Sequence, residues 1–292
     1  MVVFGTLTTH AVVYHALCLG FVIADVVARS YRIGFVLKTM HSPIPTADAY
    51  SLTLFGDAAA ALTPWRIGGE PARVFGATHG NASATASVIA LGVESLVNYI
   101  VLTIIGIALA LAFGKEWASL LHGSTHFLTH PVTIVVLALL LVFGVFTFTR
   151  LPPHVARRAQ EFLSRAAHQL RRVGPHDLAI IAVLSTISLV SRIGILPLVV
   201  AAFDEHPPLG VVSLASFALL NGQILTPTPS GAGAVELAAT SGFMGVKEHT
   251  GAILAAWRLY VTILPIIAGL SCATFRYGPR ALLIILRRRE ES

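Results

Sequence analysis

Along the chain, long apolar runs alternate with short polar joints, and the runs make up most of its length. Residues 9–28, 83–113, 131–149, 178–203 and 251–275 each supply the roughly 20 apolar residues that a helix needs to cross about 30 Å of hydrocarbon. Two further apolar segments, about 46–80 and about 209–247, are interrupted. The first breaks at Thr63-Pro64-Trp65-Arg66-Ile67-Gly68-Gly69 and the second at Thr226-Pro227-Thr228-Pro229-Ser230-Gly231. Proline deprives a helix of one N–H and glycine weakens it, so each segment reads as two short helices. The arms of the first, about 13 and 11 residues, would be only about 20 and 16 Å long. Both segments therefore predict re-entrant hairpins that leave on the side they entered. The fold class expected is an all-α membrane protein, a polytopic helical bundle.

Composition removes the soluble alternative. With 55% hydrophobic and only 12% charged residues and a mean hydropathy of +0.78, a water-exposed domain of 292 residues is excluded. The first run lacks a basic leader and a small-residue cleavage site and carries His10, His15 and Asp25, so it reads as a retained helix.

The charge of +6 would suggest nucleic acid in a soluble chain, but its placement argues against that partner. Of 20 Lys and Arg, 14 fall in three short clusters beside apolar runs: Arg29 to Lys38, Arg150 to Arg172, and Arg276 onward. This is the pattern of cytoplasmic joints that meet anionic headgroups. If all three are cytoplasmic, the crossings between successive clusters must be even, which again requires the hairpins. The C-terminus is then cytoplasmic and the N-terminus outside. Pro152 to Arg172 reads as a basic amphipathic interfacial helix.

Sliding the sequence by 163 positions pairs Leu62-Thr63-Pro64 with Leu225-Thr226-Pro227, Gly68 with Gly231, Leu96 with Leu259 and Gly106 with Gly269. One transmembrane domain over 1–292 is expected, with repeat one at about 9–149, a basic linker at 150–176 and repeat two at about 177–289. Three spans in the first copy turn the second upside down, giving two inverted-topology repeats, a plan in which transporters bind substrate at the breaks.

A helix that starts inside a membrane presents unpaired N–H groups and attracts anions. Around the first break stand Arg66, Gly68, Glu70 and Arg73; the second offers Pro227, Ser230, Gly231, Gly233 and Glu236, with Arg258 in the following span as partner of Glu236. These, with Glu94, are the candidate substrate-binding residues, because charge within a span is costly and is paired or functional. Arg192 qualifies on the same ground and Asp57 less so. For Arg66 and Arg73 the alternative is snorkelling to the cytoplasmic surface with Glu70 as partner; for Glu236 and Arg258 it is a structural pair between helices. Cys18 and Cys272 lie in apolar runs and read as packing residues. His122, His126 and His130 recur every four residues, but Gly123 and Pro131 interrupt that spacing and no Cys or carboxylate is interleaved, so no metal is expected. No cofactor is implied.

With these residues in view, Pro64 to Arg73 resembles the P-x-R-x-G-E-x-x-R motif of the lysylphosphatidylglycerol synthase transmembrane-region (flippase-like) family, with Gly69 as an extra residue. Pro227 to Glu236 is similar to its P-x-x-P-G-G-x-G-x-x-E, with Ser230 and Ala232 around the Gly, and Arg258, Pro265 and Gly269 to its following R…P…G helix. Where the family has E-R-x-x-D this chain has Glu94-Ser95-Leu96-Val97-Asn98. The resemblance implies translocation or handling of lipid in a prokaryotic plasma membrane: members flip aminoacylated phospholipid or are linked to export of isoprenoid or glycolipid products. With about 17 residues after the last apolar run, the soluble aminoacyltransferase domain of some members is not expected.

The function expected is a non-enzymatic flippase or scramblase moving an anionic, isoprenoid or phospholipid substrate, with membrane lipids as partners. An accessory or binding subunit beside a lipid-synthesis enzyme is the alternative. A membrane-embedded lipid enzyme ranks lower, since Ala232 stands where the P-S-G-H of lipid phosphatases has its His.

Overall fold

The computed structural model describes residues 9–113, 173–240, 244, 246 and 248–278. The run 131–149, the histidines His122, His126 and His130, the stretch Pro152 to Arg172 and the Arg287 to Arg289 tail lie outside the described residues.

Every described element is a helix: α1 Thr9–Thr39, α2 Thr46–Leu62, α3 Gly69–His79, α4 Ala84–Ala112, α5 Pro175–Ala202, α6 Leu209–Gly222, α7 Ala234–Ala238, α8 Thr250–Arg258 and α9 Leu264–Tyr277. A π-helical turn, Leu259–Ile263, joins α8 to α9 in one continuous rod. Among the described residues four helices, His10–Thr39, Ala84–Ala112, Pro175–Ala202 and Thr250–Tyr277, are long and apolar enough to cross a membrane. The protein is an all-α polytopic membrane protein.

Local sequence sets the ends. Ser83 Oγ accepts from the Ala86 amide at 3.1 Å and starts α4, and Asp177 Oδ2 accepts from the Gly174 amide at 3.0 Å ahead of Pro175, the first residue of α5. α2 stops at Leu62 because Thr63, preceding a proline, is extended (φ −109°, ψ 144°). Thr63 Oγ1 then donates to Ala59 O at 2.8 Å and accepts from the Gly68 amide at 2.9 Å, tying the end of α2 to the start of α3.

The first span runs farther than the hydropathy pattern suggests. α1 continues to Thr39, so Arg29 and Arg32, placed above in a cytoplasmic cluster, are instead 6% and 3% exposed inside the bundle. Of that cluster only Lys38 is exposed.

α1 packs along α5, and α9 packs against α2, whose partner in the hairpin is α3. Two apolar cores result. One joins Cys18 of α1 to Val199 and Val200 of α5 and to Ile253 and Trp257 of α8; the other joins Ile33 to Leu37 of α1 to Ala86 to Val97 of α4 and Ile181 of α5. Along both α1 and α5 a charged band, Asp25 to Arg32 and Arg192, separates the two cores.

Candidate functional site: a basic cavity between two broken helices

The two breaks share one backbone solution. At the first, Trp65 (φ 47°, ψ 17°) and Arg66 (φ 58°) turn left-handed after Pro64, which extended Thr63 precedes; at the second, Ser230 (φ 51°, ψ 24°) and Gly231 (φ 67°) do so after Pro229, which extended Thr228 (φ −107°) precedes. Two successive left-handed residues, one of them a tryptophan, are costly and persist only where packing fixes them. The match pairs Pro64 with Pro229, not with Pro227 as the offset of 163 had it. Thr-Pro occurs twice in the second segment, and the chain turns at the later copy.

The breaks touch. Ser230 Oγ donates to Ala61 O at 2.9 Å, and Arg66 Nη1 donates to Gln223 Oε1 at 3.1 Å. Beside them lies a cavity of about 370 Å³ bounded by α1, α2, α3, α4, α5 and the end of α6. The guanidiniums of Arg29, Arg32, Arg66, Arg73 and Arg192 line it, with the carboxylates of Asp57, Glu70 and Glu94. Trp65, Ile67, Tyr99 and Ile224 also line it, and each is more than 40% exposed. The cavity thus has a charged floor and an exposed apolar and aromatic rim.

The floor is built by helix spacing. Asp25 and Arg29, one turn apart on α1, pair through two hydrogen bonds of 3.0 and 2.7 Å, and Arg29 Nη1 reaches Asp57 Oδ1 at 2.6 Å. Ser188 of α5 donates to Asp25 Oδ1 at 2.5 Å. Arg32 donates to Glu94 Oε1 through both Nε and Nη2 and, through Nη1, to Ser185 Oγ at 2.7 Å and Asn98 Oδ1 at 3.3 Å. Arg73 lies 3.4 Å from Asp57, 3.7 Å from Glu70 and 3.9 Å from Glu94. Burying such charges is costly unless each finds a partner, so this network pins α1, α2, α3, α4 and α5 together.

A second cavity of about 20 Å³ shares Arg29, Asp57, Arg66 and Arg192 with the first. Along α1 it is lined by residues 22 to 29 where the first is lined by 29 and 32, and along α5 by 192 and 195 where the first takes 189, 192 and 193. The two are stacked along the bundle, with those four side chains between them.

Arg66, Glu70, Arg73 and Glu94 of the residues selected from sequence meet at the larger cavity. Arg73, at 16% side-chain exposure, sits inside the ionic network and does not snorkel. The others lie outside the lining of both cavities. Gly68 abuts Ala59 O and the Thr63 side chain. Pro227 is exposed, and Ser230, Gly231, Gly233, Glu236 and Arg258 form a clasp behind the second break. Arg258 donates to Ser230 O at 2.7 Å and to Glu236 Oε1 at 2.6 Å, while Glu236 Oε2 accepts from the Gly233 amide at 2.6 Å. Asp57, the weaker candidate, is 8% exposed and paired with Arg29.

Sequence reasoning passed over Asp25, Arg29, Arg32, Asn98, Ser185, Ser188 and Gln223. Asp25, Arg29 and Arg32 recur at i, i+4 and i+7 with no proline before Pro43, the spacing of one polar stripe on a continuing helix. Neither a curated protein nor a solved structure matches the chain. The model of the lysylphosphatidylglycerol synthase transmembrane region matches residues 5–269, and the chain belongs to that family.

Proposed function

We propose that the protein is a non-enzymatic lipid flippase or scramblase in which an anionic headgroup enters the larger cavity from the side and crosses at the breaks while its tails stay in lipid. One observation carries the reading: a charged, largely buried floor meets a rim of exposed Trp65, Ile67, Tyr99 and Ile224. A soluble anion has no use for such a rim, whereas a lipid presents both chemistries at once. Family membership supports a lipid-related role.

The stacked cavities give the path a direction along the bundle. With Arg150 to Arg172 and the C-terminal basic cluster cytoplasmic, the larger cavity faces the inner side and the smaller the outer, in the plasma membrane of a prokaryote. The matched left-handed pairs at the two breaks support an inverted repeat with two re-entrant hairpins.

The test is translocation in proteoliposomes with head-labelled phosphatidylglycerol in one leaflet. Protein-dependent loss of leaflet asymmetry, abolished by Arg73→Ala in a normally folding variant, is expected. Binding without translocation would replace the reading with that of an accessory subunit beside a lipid-synthesis enzyme. Phosphate release or acyl transfer by the purified protein would replace it with an enzyme.

A further inference from the structure

Charge pairing around the cavity is uneven. Arg29, Arg32 and Arg73 are matched by the buried carboxylates of Asp25, Asp57 and Glu94, each contact being a hydrogen bond or an ion pair within 4.0 Å. Glu70, whose side chain is 56% exposed, is a further partner of Arg73 at 3.7 Å. Arg66 and Arg192 have no carboxylate within that distance among the described residues. Among the described residues the Arg66 guanidinium is held by the neutral Gln223 amide alone, and the Arg192 guanidinium has no hydrogen-bond partner. The apolar run 131–149, outside the described residues, contains no acidic residue. The buried network is therefore neutral on its own, and Arg66 and Arg192 stand outside it without a carboxylate contact.

These two arginines are also the ones best placed to meet a ligand. Both line the larger cavity and both line the smaller one, so they flank any route between them. Gln223, 1% exposed, uses its carbonyl to orient Arg66. An unpaired guanidinium in a low-dielectric site is costly, and a planar fork that keeps its donors free suits two oxygens of one phosphoryl group.

Building on the function proposed above, we propose that Arg66 and Arg192 form a site for a doubly charged phosphoryl headgroup, a phosphomonoester or diphosphate, in preference to a singly charged phosphodiester or a zwitterion. A dianion neutralises both arginines together. A monoanion leaves one guanidinium uncompensated, and a zwitterion brings an ammonium into a site that already holds excess positive charge.

Phosphatidic acid and phosphatidylglycerol with the same acyl chains give the matched probes, since they differ in monoester against diester. Binding is measured to the full chain in detergent micelles or nanodiscs at pH 8. Phosphatidic acid is expected to bind at least about 10-fold more tightly, and the preference to fade as pH falls through the second phosphate pKa, about 6. Arg66→Gln and Arg192→Gln should each weaken phosphatidic acid by about 10- to 100-fold, the loss of one charge-assisted contact, and weaken phosphatidylglycerol less. Should Arg192→Gln fail to fold, Arg66→Gln, at the more open break, carries the same comparison, with Arg66→Lys expected to restore part of the affinity. Inorganic phosphate should displace the lipid only in large excess; displacement at equal concentration would keep the dianion site but overturn its assignment to a lipid. Equal affinity of the folded parent for the two lipids overturns the dianion preference and leaves the flippase reading standing. Absence of translocation for every lipid overturns that reading instead.

Discussion

Arg32→Met removes the guanidinium that joins α1 to α4 and α5. The side chains of Arg32 and Glu94 are each only 4% exposed, and Arg32 also holds Ser185 and Asn98. Taking away one partner of a buried ion pair leaves the other charged and desolvated, at a cost of about 3–5 kcal/mol. Arg73 lies 3.9 Å from Glu94 and offers partial replacement, so the lower end, ~3 kcal/mol, is expected. That corresponds to roughly a 100-fold shift toward the unfolded form. Combining Arg32→Met with Glu94→Gln should recover much of the loss, because the orphan charge is gone. Lys38→Met serves as the control: it removes the same formal charge from an exposed position near the end of α1 and should cost less than about 0.5 kcal/mol. The assay is melting of each variant in detergent, with elution as a single species checked beforehand. If Arg32→Met melts with Lys38→Met, Arg32 is not buried, and the charged band between the two cores is misplaced.

Three further outcomes follow from particular contacts. A Cβ on Gly269 would stand 2.1 Å from the Leu54 carbonyl oxygen, so Gly269→Ala should push α9 from α2 and lower stability by about 1–3 kcal/mol, whereas Gly92→Ala, with nothing within 4 Å, should not; equal melting of the two would contradict this packing. Arg258→Ala frees both Ser230 O and Glu236, and should destabilise more than Arg258→Ala combined with Glu236→Gln; because the Glu236 side chain is 45% exposed, the difference should stay below about 1 kcal/mol, and a larger one in melting would mean a buried pair. In the loop after α5, burial works against ionisation of Glu205, but hydrogen bonds from the Glu248 and His249 amides outweigh it and hold the carboxyl below its usual range. Its contribution is full above the ordinary glutamate value of about 4.3 and is lost as pH falls through the lower folded value. Glu205→Gln should accordingly lower the melting temperature at pH 6, and the difference from the parent should shrink as pH falls below about 4.3.

Hydropathy made most of the spans legible: the runs at 83–113, 178–203 and 251–275 differ from α4, α5 and the α8–α9 rod by three residues or fewer at either end. Proline and glycine marked both breaks: Thr63 and Thr228, each preceding a proline, are extended and not helical. What stayed hidden were positions where tertiary pairing overrides a linear signal. Arg29 and Arg32 have the composition of a cytoplasmic joint, and besides Asp25 it is carboxylates on α2 and α4, far along the chain, that make their burial tolerable. Likewise Glu236 and Arg258 were rightly paired, yet their position behind the break depends on Arg258 reaching Ser230 O, a backbone contact that no side-chain pattern records. The register of the second break was ambiguous because both Thr-Pro pairs satisfy the same local rule.

Whether the larger cavity is the route for lipid can be tested by plugging it. Ser95 lines the cavity, whereas Leu111, on the same helix, is 81% exposed on its outer surface. In a Cys272→Ser background, with Cys18 fully buried, Ser95→Cys and Leu111→Cys would each be modified with a bulky thiol reagent and reconstituted for leaflet exchange of head-labelled anionic lipid. Modification at residue 95 should stop exchange and modification at residue 111 should leave it at the unmodified rate; exchange continuing at that rate with residue 95 fully modified would contradict passage through the cavity.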